Sequence, residues 1–222
     1  MDYKGFRELL ASSDKGYHHG YHRFYYPILR GLEKSNVRFL EIGVADGRSM
    51  KIWNQYFVNA EHLYGIGYKN HQTVYQDKID EKNTLFMGDQ SDTEFLKRFI
   101  GDSGGCFDIV IDDGSHVPSH VKTSFETLWD CVNPNGYYII EDIETSYWKK
   151  SASIYGYSLS NEPSIVEYFK SKVDDVNNEF RKRESTDIAM ISFVQNAIII
   201  QKIGEDHEPY MNRRYRYGNN LN

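Results

Sequence analysis

The stretch "VRFLEIGVADGRS" (residues 37–49) decides the fold. Its first half, "VRFLEI", is a short apolar run that reads as a strand. The run that follows, "RSMKIWNQYF" (48–57), puts Ile52, Trp53, Tyr56 and Phe57 on one face of a helix. Between them, Gly43 and Gly47 would let backbone approach a ligand closely, beside the free N–H groups of a helix amino end. The same turn equally suits a plain, tight strand-to-helix connection. Glu41, at the strand end, disfavours a pyrophosphate and suits a cationic amine.

The alternation continues outward from this unit. "HLYGIG" (62–67), "TLFMG" (84–88), "FDIVI" (107–111) and "GYYII" (136–140) read as further strands. Helices are expected from Asp92 to Ile100, through Val117, Val121, Phe125, Leu128 and Val132, and over "EPSIVEYFKSKV" (162–173). Pro118 suits the first turn of the second of these. "DIAMISFV" and "AIIIQKI", separated by Gln195-Asn196, read as an antiparallel hairpin. Upstream, Phe6, Leu9 and Leu10, then Tyr25, Tyr26, Leu29 and Leu32, have helical spacing around a polar loop, "SSDKGYHHGYH". The expected organisation is a helical cap and loop over 1–36, a main domain over 37–204 and a tail over 205–222. Its fold class is α/β: a doubly wound, Rossmann-like, mostly parallel sheet with a C-terminal antiparallel hairpin and helices on both faces. Ligands of such sheets sit outside the carboxyl ends of the strands, where strand order reverses.

Composition narrows the function. The chain has 222 residues, 40% hydrophobic and 26% charged, enough for one domain with a sizeable core. A formal net charge of -6 argues against a general nucleic-acid binder, although "NRRYRY" (212–217) is locally basic. Two cysteines, Cys106 and Cys131, make no disulfide framework and no thiolate metal site. The polar start "MDYKGFRELL" is no signal peptide, and no apolar run approaches a membrane span. The expectation is a cytoplasmic protein with no membrane and no nucleic-acid partner, a homo-oligomer being left open.

Two strands end in paired acids: Asp112 and Asp113, then Glu141 and Asp142. Neighbouring strands would bring these tips to roughly 5 Å. Carboxylates that close resist joint ionisation, and a hard divalent cation resolves the conflict, since three oxygens plus waters suit Mg²⁺ or Ca²⁺. The alternative is that the acids cap the next helix or pair with Lys149 and Lys150. His116 is either a cap at the helix opening or, beside a metal, a base for a hydroxyl. His120 is expected to face solvent, and His18, His19 and His22 to lie in a loop. In "GDQSD" (88–92), Ser91 with Glu94 reads as a capping box. Asp89 and Gln90 are then free to bond an adenine amino group or ring nitrogens.

Taken together, "DKGYHHGY", "FLEIGVADGRS", "GDQSD", "FDIVIDDGSHV" and "YYIIEDIETSYW" resemble the metal-dependent sugar O-methyltransferases related to macrocin and mycinamicin O-methyltransferases, over roughly residues 12–150. The resemblance implies a class I methyltransferase fold using S-adenosylmethionine and Mg²⁺. It implies Asp113, Glu141 and Asp142 as metal ligands and His116 as general base. It places Lys15, Glu41, Gly43, Gly47, Ser49, Tyr68, Asp89, Gln90 and Asp112 in the cofactor site. The implied acceptor is a sugar or glycan with vicinal hydroxyls, such as a deoxyhexose. The N-terminal accessory region of the macrolide enzymes is expected to be absent. One departure stands out: the family ends its second strand in an acid that bonds the ribose, whereas "YGIGYKN" has Gly67 there, leaving Tyr68, Lys69 or Asn70 to substitute. A catechol-type methyltransferase and a non-catalytic glycan-binding relative remain alternatives. A nicotinamide oxidoreductase is disfavoured, because "EIGVADG" lacks the G-x-G-x-x-G spacing.

Overall fold

The strands alternate side chains between two faces, and both faces are covered. The computed structural model describes residues 1–68, 76–78, 80–147, 164–177 and 187–205. Its helices are α1 (Tyr3–Leu10), α2 (Asp14–Tyr17), α3 (His22–Leu29), α4 (Arg48–Tyr56), α5 (Thr93–Ser103), α6 (Pro118–Leu128), α7 (Ile165–Ser171) and α8 (Val173–Val176). Its strands are β1 (Arg38–Ile42), β2 (His62–Gly67), β3 (Gln76–Lys78), β4 (Asn83–Met87), β5 (Phe107–Asp112), β6 (Val132–Glu141), β7 (Ile188–Val194) and β8 (Ala197–Lys202). One sheet takes all eight in the order β3-β4-β2-β1-β5-β6-β8-β7. β4, β2, β1, β5 and β6 are parallel, and β3, β8 and β7 each join antiparallel to a neighbour.

On one face Leu40, Ile42, Ile66, Phe86, Val110 and Ile140 pack against Leu96, Phe99, Phe125 and Phe169 of α5, α6 and α7. On the other, Phe39, Leu63, Ile109, Ile111 and Ile199 pack against α4 and the N-terminal helices. Phe6, Leu10, Tyr25 and Leu29 are buried there with Trp53. Each such side chain contributes about 1.5–3 kcal/mol of burial, so the N-terminal segment is part of the core.

The chain runs from β1 outward to β2 and β4, then returns to β5 on the other side of β1. Strand order therefore reverses between β1 and β5, and a crevice opens beyond their carboxyl ends. Asp112 pairs with Ile42 on one side and Ile140 on the other, so Asp113 is level with Gly43 and Glu141.

Several local readings need correction. The polar loop of the N-terminus contains α2 and the start of α3. The helix expected to reach Val132 ends at Leu128, a 3₁₀ turn (Trp129–Cys131) follows, and Val132 opens β6. Asp92, not Ser91, caps α5, its carboxylate accepting from the N–H groups of Glu94 and Phe95. β3 was not anticipated. Lys69, Asn70, Lys149, Lys150 and the basic stretch 212–217 lie outside the described residues.

Candidate active site

Two turns and two glycines shape the crevice. Gly43 leaves β1 at φ 98, and a Cβ there would stand 1.9 Å from the Asp113 carbonyl oxygen. The N–H of Asp113 donates to the Ile42 carbonyl at 2.9 Å, so Gly43 is needed for the β1 and β5 tips to close on each other. Gly114 is equally constrained, since a Cβ would meet Gln90 Oε1 at 1.9 Å. That oxygen accepts the Ser115 N–H at 2.6 Å, while Gln90 Nε2 donates to Asp112 Oδ1 at 3.0 Å. Gln90 thus braces the β4 tip to the turn after β5.

Five residues expected in the cofactor site, Lys15, Glu41, Ser49, Gln90 and Asp112, have side-chain partners within the protein. Asp112 is buried and accepts from Gln90, from Ser124 Oγ at 2.5 Å and from Tyr138 Oη at 3.0 Å. Burial raises its pKa against the pull of those donors. Gln90 is buried in the same network. Glu41 is 0% exposed, its carboxylate accepting from Ser49 Oγ at 2.6 Å and Trp53 Nε1 at 3.4 Å. Lys15 Nζ lies 3.2 Å from Glu41 Oε1. Ser49 is held by this bond to Glu41. Of the other residues assigned to the cofactor, Gly47 caps α4, Tyr68 is 67% exposed beyond β2, and Asp89 Oδ1 accepts from Ser91 N and Oγ at 2.8 and 2.7 Å.

Lys15 is 1% exposed and reaches three acids. Its Nζ donates to Asp113 Oδ2 at 2.6 Å and Glu141 Oε2 at 2.8 Å besides its contact with Glu41. Burial by itself would lower the lysine pKa, but Asp113, Glu141 and Glu41 together hold it well above the ordinary value. One ammonium among three acids leaves negative charge in excess. Accordingly burial, and then Asp113, push the Glu141 carboxyl up despite Lys15. Glu141 Oε1 also accepts from the Tyr25 hydroxyl.

The outer side of the cluster differs. Asp113 Oδ1 and Asp142 Oδ2 each stand 3.9 Å from His116 Nε2. One ligand atom each from Asp113, His116 and Asp142 fits within 4.8 Å of the other two. All three side chains are part-exposed. Glu141, expected as a third ligand, lies beside that group, with Lys15 and Tyr25 bonded to its two oxygens. Each of those oxygens keeps one further lone pair. His116 stands beside both acids, and its carbonyl accepts from Thr145 Oγ1 at 3.1 Å. His120 Nδ1 bonds Ser115 Oγ at 3.0 Å and does not simply face solvent.

Asp142 is held by residues that sequence reasoning passed over. The Tyr21 hydroxyl donates to its Oδ1 at 2.6 Å and accepts its N–H at 3.1 Å. Asn196 Nδ2, from the hairpin turn, donates to the same Oδ1 at 3.1 Å, and His19 Nδ1 lies 3.4 Å from it. Burial and the neighbouring Asp113 raise the Asp142 pKa. The one signal available was that Tyr21, Tyr25 and Leu29 share a helical face at four-residue spacing. Tyrosines on an apolar stripe carry polar tips into a core.

Residues 40–143 fit the family described as a methyltransferase domain. The chain is 39% identical over 140 residues to mycinamicin VI 2''-O-methyltransferase of Micromonospora griseorubida, covering 60% of this chain and 34% of that protein. It is 35% identical over 176 residues to the 8-demethyl-8-(2-methoxy-alpha-L-rhamnosyl)-tetracenomycin-C 3'-O-methyltransferase of Streptomyces olivaceus, covering 76% and 43%. The solved structure of MycE methyltransferase from the mycinamycin biosynthetic pathway, in complex with Mg and SAH, superimposes with a TM-score of 0.74 at 29% identity. That match covers 91% of this chain and 55% of MycE. The class I fold expected from the sequence is therefore established. The chain spans less than half the length of these two curated relatives.

Proposed function

We propose that the protein transfers the methyl group of S-adenosylmethionine to a hydroxyl of a sugar, in a reaction that requires Mg²⁺. The observation that carries this reading is the outer acid pair. Asp113 and Asp142 present oxygens on either side of His116 Nε2, at the crevice where the β1–α4 turn also opens. Paired carboxylates with solvent access suit a hard divalent cation, so the residues fit Mg²⁺. Asp113 and Asp142 would be its principal ligands, with Glu141 the third acid of the cluster. When bound, Mg²⁺ would hold vicinal hydroxyls and lower their pKa.

The chain's own residues do the rest. His116 Nε2 receives the hydroxyl proton. The freed oxygen pair forms a bond to the methyl carbon, the sulfur–methyl bond breaks, and its electron pair returns to sulfur. Gly43 and Gly47, Tyr68 and Asp89 line the approach for the methyl donor at the tips of β1, β2 and β4. The relatives' names support a deoxyhexose acceptor, since one carries a rhamnosyl group in its printed name. Among the described residues no helix is long and apolar enough to cross a membrane.

The test is a methyl-transfer assay with S-adenosylmethionine over a panel of deoxyhexosides and catechols, read by mass spectrometry. A methylated deoxyhexoside, formed with Mg²⁺ and not after chelation, is expected. Turnover of catechols alone, or of sugars at full rate in thoroughly chelated enzyme, would overturn it.

A further inference from the structure

The acid cluster has two sides, and a single residue separates them. Glu41 and Glu141 are buried, and Lys15 Nζ bonds both together with Asp113 Oδ2. The other Asp113 oxygen turns outward to His116, where Asp142 Oδ2 joins it. One carboxylate, Asp113, therefore belongs to both sides. Nothing else positively charged is bonded to the inner side among the described residues, and its remaining donors are the neutral groups of Ser49, Trp53 and Tyr25.

We infer that Lys15 is a positioning residue, a resident cation that neutralises the inner acids and reserves the outer pair for one divalent ion. Two consequences follow from its place. The Asp113 carboxylate is aimed before any ion arrives, because its inner oxygen is fixed by a 2.6 Å bond. The ammonium also sits on the far oxygen of a principal ligand, so it repels an incoming cation and keeps the ion exchangeable. Lys15 arises from α2, a four-residue turn of helix, so the N-terminal segment supplies part of the ion site. The inference rests on the cation reading given above and adds to it a residue that touches neither ion nor substrate.

The experiment is a titration of Mn²⁺ alone, with free ion read by electron paramagnetic resonance, into wild type and three charge variants. Lys15→Met keeps the length of the side chain and removes its charge. It is expected to bind Mn²⁺ about tenfold more tightly, since a like charge has left the neighbourhood. Glu41→Gln removes an inner acid that is no ligand and is expected to weaken binding about threefold or more. The double variant has the wild-type net charge and is expected within about threefold of wild type. Should Lys15→Met not fold by itself, the other three proteins still order the series. A lysine that merely holds the fold would make Lys15→Met and the double variant bind alike and weakly. That result, or affinities that do not follow charge, would overturn the inference while leaving the cation reading in place. If wild type binds no Mn²⁺, the cation reading fails, and the inference with it.

Discussion

Asp142 and His116 both sit at positive φ, 55 and 56, in the left-handed region. Each conformation costs an ordinary residue about 1–2 kcal/mol, and Asp, Asn and His tolerate it best. The strain is offset by fixed partners: Tyr21 and Asn196 on Asp142, and Thr145 on the His116 carbonyl. Its effect is to turn two short side chains back toward Asp113. This geometry makes His116 separable from the ion site. His116→Ala is expected to lower methyl transfer by about 10²–10⁴-fold, the usual loss for a missing general base. Mn²⁺ affinity is expected to stay within about threefold, with cofactor affinity likewise. His116→Gln should behave the same way, keeping a polar contact without accepting a proton productively. A parallel collapse of turnover and Mn²⁺ affinity would make His116 a ligand instead.

The elements divide sharply into those legible in the sequence and those not. β1, β2, β4, β5 and β6 were readable because apolar runs bounded by glycine or acids admit few other structures. The paired acids were readable because charge at the end of a buried strand demands a partner. What could not be read was which partner. Lys15 stands 26 residues before Glu41 in a segment that looks like a polar loop, and only the packing of α1 and α3 carries it inward. Asn196 was visible as a hairpin turn, but its reach to Asp142 depends on β8 lying beside β6. Among these N-terminal elements α3 also carries a titratable liability. His22, its first residue, has a buried Nδ1 without a hydrogen-bond partner. Burial, then Arg7 and Arg23, lower its pKa, and the helix amino end disfavours a cation there as well. The native state therefore binds this proton less readily than the unfolded chain. The stability involved is present above the unfolded value of about 6.5 and is lost as pH falls through that window toward the lowered native value. Thermal melts should show the midpoint falling between about pH 7 and pH 5, and His22→Phe should flatten that slope. An unchanged slope in the variant would assign it to other groups.

At the scale of the whole molecule, the proposed ion site joins parts remote in sequence. Lys15, His19 and Tyr21 come from the N-terminal segment, Asp113 and His116 from the turn after β5, Glu141 and Asp142 from the end of β6, and Asn196 from the β7–β8 turn. An unfolded chain cannot assemble that constellation, so an ion bound there binds the native state alone and stabilises it by mass action. At a hundred times the dissociation constant the gain is about 2.7 kcal/mol. For a domain of this size each kcal/mol moves the midpoint by about 2–4 °C, so saturating Mg²⁺ should raise it by about 5–10 °C. The rise should grow with the logarithm of Mg²⁺ once the site is saturated, and chelation should reverse it. Asp142→Asn should abolish most of the rise, because it removes one ligand charge while keeping the oxygen that Tyr21 and Asn196 grip. Calorimetric melts of both proteins across a Mg²⁺ series make the measurement. A midpoint that ignores Mg²⁺ in wild type would remove the ion from the site. An equal rise in both proteins would place it elsewhere on the surface.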